Sequence, residues 1–225
     1  MRESKVVGIA AGLVTAGAWA ALWFATPGGF GPRFNPRPHE ASGWVLAHQA
    51  VSLLKPGAPV VVIARDTAAF RNPASDVQLA SLKKTLLASG IQITKLQLLQ
   101  VDPLRPVEVP PGDFFESIRN IPKGGVIVSL MGPPVLSETQ RKQLGEIKPS
   151  IVAFCSGSSP ENVDLRSLFE QGLLHAAVVS RADTRSSSSA RDLQGWFDHS
   201  FLAVTSANAA SLLPKTASLG DTRQP

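Results

Sequence analysis

The stretch IVAFCSGSSPEN, from Ile151 to Asn162, combines the signals that decide the fold. Its first five residues are apolar and favour β-structure, which predicts a short strand buried on both faces. A Gly/Ser turn follows, and then Ser159, Pro160 and Glu161, the residue types of a helix N-cap, a first-turn proline and a carboxylate matched to the helix dipole. The stretch therefore predicts a strand, a loop and the start of a helix.

The same unit recurs along the chain. Four other short apolar runs are VVVIA (Val60 to Ala64), VIVSL (Val126 to Leu130), AAVVS (Ala176 to Ser180) and LAVTS (Leu202 to Ser206). A further segment, Ile91 to Val101, mixes polar and apolar positions and carries Lys95, as edge strands do. This alternation predicts an α/β fold, a three-layer, doubly wound, mostly parallel sheet of about six strands. The pattern resembles flavodoxin-type folds or a single lobe of a type I periplasmic binding protein, a likeness of architecture without a shared motif.

Apolar stripes and capping residues mark the helices between the strands. The stripes are Leu79, Leu82 and Leu86 in one segment and Leu165, Leu168 and Phe169 in another. Caps are predicted at helix starts by Asn72 before Pro73, by Ser137 with Gln140 and by Ser189 with Asp192, and at helix ends by Gly90 and Gly172.

One more helix is predicted ahead of the first strand, from Ala41 to Leu54. Its period places one apolar face at Trp44, Ala47, His48, Val51 and Leu54. His48 lies within that stripe, and a boundary histidine satisfied by a backbone carbonyl is the favoured interpretation over a ligand role.

The N-terminus carries the clearest signal. Val6 to Ala25 runs for 20 residues without a charge, long enough as a helix to cross a hydrocarbon core of about 30 Å. Arg2 and Lys5 precede it and favour a cytoplasmic N-terminus with the domain outside. A cleaved signal peptide, which would make the domain secreted, is the alternative, because AWA has small residues at the spacing of a cleavage site.

The chain thus divides into five predicted segments. These are a short cytoplasmic N-terminus (1–5), a transmembrane anchor or signal peptide (6–25), a Pro/Gly-rich tether (26–40), the α/β domain (41–212) and a disordered tail (213–225). The tether holds four prolines and three glycines in 15 residues, a composition that predicts neither helix nor sheet.

The charge pattern argues against nucleic-acid binding, and the cysteine count leaves the redox compartment open. The net charge is +5, but the basic residues are scattered. The adjacent pairs, Lys83-Lys84 and Arg141-Lys142, fall on predicted helix faces, so no stripe follows a phosphate backbone and nucleic-acid binding is not expected. One cysteine forms no internal disulfide, so the count does not identify the redox compartment.

Any ligand site is predicted at the carboxyl ends of the strands, where the crevice of an open parallel sheet lies. The loops assigned to this edge are 65–73, 102–113, 131–138, 156–162, 181–189 and 207–210. Guanidinium donors, carboxylate acceptors, one aromatic face and a backbone anion nest define the candidate ligand-binding residues. They are Arg65, Asp66, Phe70, Gly157, Ser158, Ser159, Arg181, Asp183 and Arg185. This set suits a small anionic or polyhydroxylated ligand, or a partner in a membrane complex.

Known catalytic and cofactor motifs are missing from these loops. The first strand–helix turn lacks the glycines of a dinucleotide site, and no Walker A sequence is present. His175 begins a predicted strand and His199 ends a predicted helix, so both are expected at the opposite edge, out of reach of a nucleophile in the crevice. Asp66, Asp102 and Asp183 could hold a hard cation, but pairing with neighbouring arginines is favoured. We therefore predict no catalytic residue, no metal and no cofactor.

Cys155 invites comparison with phosphatase-type loops, in which a thiolate and an arginine six residues later hold a phosphate. Here the sixth residue is Glu161, whose charge repels such a substrate and already occupies the positive end of the helix. Packing at the strand end is the favoured role of Cys155.

Together these patterns predict a membrane-anchored extracytoplasmic domain that acts as a non-catalytic ligand-binding, sensing or accessory-subunit module. Two alternatives stay open. One is an anchored hydrolase or transferase that uses Asp66, Asp183 or Cys155, and the other is a purely structural domain.

Overall fold

The computed structural model describes residues 34–101, 108–145, 148–156, 163–181 and 190–213, and the domain begins at Pro36. The helices are α1 (Arg37–Leu53), α2 (Pro73–Ala88), α3 (Pro111–Arg119), α4 (Glu138–Leu144), α5 (Leu165–Glu170), α6 (Leu193–Ser200) and α7 (Ala209–Leu212). The strands are β1 (Val60–Arg65), β2 (Lys95–Leu99), β3 (Val126–Ser129), β4 (Ser150–Cys155), β5 (Ala176–Ser180) and β6 (Phe201–Thr205). The predicted anchor, Val6 to Ala25, lies outside the described residues, and within them no helix combines the length and apolar character needed to cross a bilayer.

All six strands join one sheet in the order β2-β1-β3-β4-β5-β6. The first five are parallel, and β6 pairs antiparallel with β5. The predicted fold class, a three-layer α/β fold with a mostly parallel sheet of six strands, is confirmed. So is the edge position of β2, which pairs only with β1 among the described strands.

Helices cover both faces of the sheet, as the two-faced apolar strands predict. In β1, Val60 and Val62 pack with residues of α1, α2 and α6. Their neighbours Val61 and Ile63 pack with residues of α3, α4, α5 and α7. Alternate residues of one strand thus enter two separate cores, which is why these runs are apolar throughout.

The first helix differs from its prediction in length and in buried face. It begins at Arg37, with a proline in its first turn, so residues 37–40 of the predicted tether are helical. Of the predicted apolar face, only Ala47 is fully buried. The buried residues are Ala41, Ser42, Gly43, Val45, Leu46, Ala47 and Ala50. The face is broader because α1 packs against α2, α6 and the sheet at the same time.

Most predicted caps are present. The Asn72 side chain accepts a hydrogen bond from the Ser75 amide at 3.2 Å, and Ser137 with Gln140 forms a reciprocal capping box. Gly90 and Gly172 end their helices with φ of 74° and 63°. At α6 the cap is Asp192 itself, whose carboxylate accepts from the Gly195 amide at 2.8 Å; Ser189 lies outside the described residues.

The antiparallel direction of β6 corrects two predictions about the edges of the sheet. Residues 207–210 follow β6 and therefore lie at the amino-end edge of the parallel strands, not in the crevice. Conversely, β6 starts at the carboxyl edge, because Phe201 is the partner of Ser180. His199 and Ser200, which precede it, lie at the carboxyl edge, so the prediction that places His199 at the opposite edge is wrong.

Candidate functional site

The crevice of this sheet lies between β1 and β3, where the strand order reverses. From β1 the chain crosses to β2 on one side, and β3 to β5 follow on the other. Backbone hydrogen bonds fix the two strand ends here, from Asp66 N to Leu99 O at 2.8 Å and from Leu130 N to Ile63 O at 2.9 Å. Arg65 and Asp66 therefore lie at the position where open α/β sheets bind their ligands.

Side-chain hydrogen bonds hold the loop after β1 against the first turn of α2. The Asp66 carboxylate accepts from the Ala68 amide at 2.9 Å. The Thr67 hydroxyl donates to the Asp76 carboxylate at 2.7 Å. Phe70 lies further along the loop with its side chain exposed. The predicted acceptor, Asp66, therefore already accepts one hydrogen bond, whereas the Phe70 ring is open to contact.

Arg65 is the residue of this site whose polar contacts are incomplete. The residue is half-buried, and its Nε atom is shielded from solvent without a hydrogen-bond partner among the described residues. A buried donor left without an acceptor costs about 1–3 kcal/mol. If the guanidinium group turned toward the edge, an acceptor there would complete its hydrogen bonding.

Arg181 lies at the same edge but far from Arg65. Its Nε donates to the Phe201 carbonyl oxygen at 3.0 Å, and its backbone amide donates to Ser200 O at 3.0 Å. Three strand spacings separate β5 from β1, a distance of roughly 14 Å. A small ligand that contacts Arg65 does not reach Arg181, whose side chain helps to fasten β6. The remaining predicted residues, Gly157, Ser158, Ser159, Asp183 and Arg185, lie outside the described residues.

Cys155 lies within the core and has no accessible surface. Burial raises the pKa of its thiol to about 12, so at neutral pH the sulfur stays protonated. Since the thiolate is the nucleophile in cysteine chemistry, this position favours the predicted packing role and opposes a hydrolase or transferase that attacks through Cys155.

The histidines have three different environments. His175 lies at the amino-end edge, where its Nδ1 accepts from the Ile151 amide at 3.2 Å. His48 is exposed and contacts Trp44 edge-on, with ring centroids 4.6 Å apart. His199 lies at the carboxyl edge, close to the start of β6, where the Arg181 side chain forms its hydrogen bond with Phe201. The absence of histidines from the carboxyl edge is one reason for predicting a non-catalytic module. The position of His199 removes that reason.

Sequence reasoning missed part of the site, a cavity of about 300 Å³ beneath the end of β1. Its wall on α2 is formed by Ser75, Asp76, Leu79 and Lys83. Asp76, Leu79 and Lys83 follow one another at spacings of three and four, and Ser75 lies four residues before Leu79, so the four share one helix face, which the sequence does show. Lys83 is exposed, as predicted for solvated helix surface, and it also lines this cavity because strands from elsewhere in the chain complete it. Over the described ranges no group of three or more His, Cys, Asp or Glu residues could hold a metal ion.

Comparison with solved structures finds a similar fold in solute-binding proteins of transporters. The structure of an ABC transporter solute-binding protein from Burkholderia graminis, in complex with D-arabinose, matches with a TM-score of 0.51 at 19% identity and covers 78% of this chain and 62% of that one. A carbohydrate transporter solute-binding protein from Agrobacterium radiobacter, in complex with D-arabinose, matches with a TM-score of 0.49 at 12% identity and covers 77% of this chain and 61% of that one. The Caulobacter myo-inositol binding protein matches with a TM-score of 0.47 at 17% identity and covers 77% of this chain and 60% of that one.

At such identities the first of these matches establishes the fold alone, and it bears out the resemblance to one lobe of a periplasmic binding protein. The chain spans only 62% of the length of that protein. No protein-family model matches the sequence, and no curated protein matches it either.

Proposed function

We propose that this chain is a non-catalytic, membrane-anchored extracytoplasmic module that binds a small anionic or polyhydroxylated ligand at the carboxyl edge of its sheet. The observation that carries the proposal is the Arg65 guanidinium at the point where the strand order reverses, with its shielded Nε atom unpaired. A guanidinium group binds carboxylates, phosphates and hydroxyl oxygens through several parallel donors.

The fold adds support by analogy. The similar protein from Burkholderia graminis was solved in complex with D-arabinose, and that resemblance supports the polyhydroxylated class of ligand. This chain spans about three fifths of that protein's length, and the described residues form one lobe, which would contact a ligand from one side. A partner in a membrane complex is a further candidate for contact with this edge.

The location follows from the N-terminal sequence. An uncharged stretch of 20 residues, Val6 to Ala25, is long enough to cross a bilayer. Arg2 and Lys5 on its N-terminal side favour a domain outside the cytoplasm. Proteolysis of spheroplasts, before and after the cytoplasmic membrane is permeabilised, tests this arrangement, and a domain that is cut only after permeabilisation contradicts it.

A titration of the full-length chain, in a mild detergent held at constant concentration, tests the binding function. D-arabinose, myo-inositol, inorganic phosphate and hexanoate serve as probes, with calorimetry as the readout. We expect saturable binding of at least one probe and about tenfold weaker binding of that probe by Arg65→Met, the loss expected from one charged hydrogen-bonding group.

Arg119→Met is the matched control, because Arg119 lies in the last turn of α3 at the opposite edge of the sheet. Its binding should equal that of the unchanged protein. If no probe binds while Arg65→Met alters only the melting temperature, the domain is structural and the proposal is wrong.

A further inference from the structure

The cavity beneath β1 has a polar mouth and an apolar wall. Residues of β1, β2 and α2 line its volume of about 300 Å³, at the small end of the range for ligand sites, roughly 300–1,000 Å³. Arg65 and Lys83 bring two positive charges, Asp66 and Asp76 bring two negative ones, and the apolar wall comes from Leu79, Leu96 and Leu98. Leu98 keeps 49% of its surface exposed, and a ligand in the cavity would cover part of it.

Among the described residues, each carboxylate of this cavity accepts a hydrogen bond, whereas the cations have no charged partner. The Asp76 carboxylate accepts from Thr67 at 2.7 Å, and the Asp66 carboxylate accepts from the Ala68 amide at 2.9 Å. Arg65 Nε has no partner among these residues, and neither Arg65 nor Lys83 forms an ion pair with one of them. The lining is balanced in formal charge, and its unpaired donors favour a ligand group that supplies acceptor oxygens.

The apolar wall limits what the rest of that ligand can be. A sugar in the cavity would place hydroxyl groups against Leu79, Leu96 and Leu98, and each hydroxyl left unpaired would cost about 1–3 kcal/mol. A short hydrocarbon chain has no such groups, and its burial against leucine side chains is favourable by about 0.8 kcal/mol per methylene.

We infer that this cavity binds a small monocarboxylate with a short hydrocarbon chain, its carboxylate on Arg65 and Lys83 and its chain on the leucines of α2 and β2. This ligand class rests on the proposed function and narrows it. Since Arg65 Nε is shielded from solvent, a two-point contact with the carboxylate requires the guanidinium group to turn toward the ligand.

Hexanoate and hexanamide provide the test, because they share a chain length and differ in charge. Calorimetric titration of the full-length chain should show saturable binding of hexanoate and at least about tenfold weaker binding of hexanamide, the loss expected when a charged acceptor is replaced by a neutral one. D-arabinose should bind more weakly than hexanoate.

Two neighbouring lysines make a matched pair of variants. Lys83 lines the cavity, whereas Lys84 lines a separate groove between α1 and α2. We expect Lys83→Gln to weaken hexanoate binding about three- to tenfold, the range for one partly exposed charge contact. Lys84→Gln should leave hexanoate binding unchanged.

The outcomes separate this inference from the proposed function. Binding of D-arabinose or myo-inositol without binding of hexanoate overturns the monocarboxylate inference and leaves the binding function standing. Hexanoate binding that Lys83→Gln and Arg65→Met leave intact, or that Lys84→Gln weakens equally, overturns the assignment to this cavity. Binding of no probe overturns both.

Discussion

His175 holds a neutral imidazole ring at the amino-end edge of the sheet. Its Nδ1 atom accepts a hydrogen bond from the Ile151 amide at 3.2 Å, and a proton on this nitrogen would remove the acceptor. Burial, and then the nearby charge of Lys148, lower the pKa of His175 below its ordinary value of 6.5. The folded protein therefore binds fewer protons than the unfolded chain as the pH falls through that value.

The sign of the resulting pH dependence follows from linkage. Stability increases with pH wherever the unfolded state binds more protons, so the contribution of His175 is present above its unfolded pKa and is lost as the pH falls below it. We expect His175→Asn, whose side-chain oxygen also accepts a hydrogen bond, to flatten the dependence of unfolding free energy on pH between about 5 and 7.

Urea unfolding at several pH values measures this effect. Burial also lowers the pKa of His39, so some slope should remain in the variant, and the difference between the two curves isolates His175. Identical slopes for the variant and the unchanged protein contradict the prediction.

At the scale of elements, α1 and α2 approach each other closely at Gly43. A Cβ atom at this position would overlap the Gln78 carbonyl oxygen and lie 3.0 Å from the Ser81 Cβ. A buried hydrogen bond of 2.9 Å joins the side chains of Gln78 and Ser42 alongside it. This contact leaves no room for a side chain on α1, so the two helices depend on a glycine there.

Gly43→Ala should therefore destabilise the domain by roughly 1–3 kcal/mol, because overpacking outweighs the better helix propensity of alanine. Gly112→Ala is the matched control, since Gly112 is also helical and a Cβ there meets nothing within 4 Å. Thermal unfolding should show a lower melting temperature for the first variant and an equal or higher one for the second. Equal melting temperatures for both would show that the helix contact can relax.

The sequence predicts the strands and helix caps better than the site, because their signals lie within a few neighbouring residues. Runs such as Val60 to Ala64 are apolar on both faces, and Asn72 before Pro73 is a cap that forms within four residues. The direction of β6 is not local information, because a five-residue apolar run has the same pattern in a parallel or an antiparallel strand. His199 was consequently assigned to the wrong edge.

The site was harder to predict for a related reason. The position of Arg65 at the carboxyl edge could be predicted from its place at a strand end. Lys83 and Lys84 are adjacent in sequence and both are exposed, and only the structure shows that Lys83 also lines a cavity. The sequence places Arg181 and Arg65 at the same edge of the sheet. It does not give the strand order, and therefore not the three strand spacings between them.

On the scale of the whole molecule, the buried thiol of Cys155 allows the opening of the domain to be measured chemically. Its sulfur has no accessible surface, and burial raises its pKa to about 12. A thiol reagent can therefore modify the native chain only after β4 becomes exposed. We expect labelling in native buffer to be slower than in urea by orders of magnitude, as the small population of open molecules dictates.

Labelling followed by mass spectrometry would measure this rate, and equal rates in buffer and in urea would contradict the prediction. A ligand that binds only the folded domain must slow the reaction by the factor 1 + [L]/Kd when opening is global. The labelling rate of this one cysteine thus reports the binding of any molecule that stabilises the folded domain, before the identity of that molecule or its site is established.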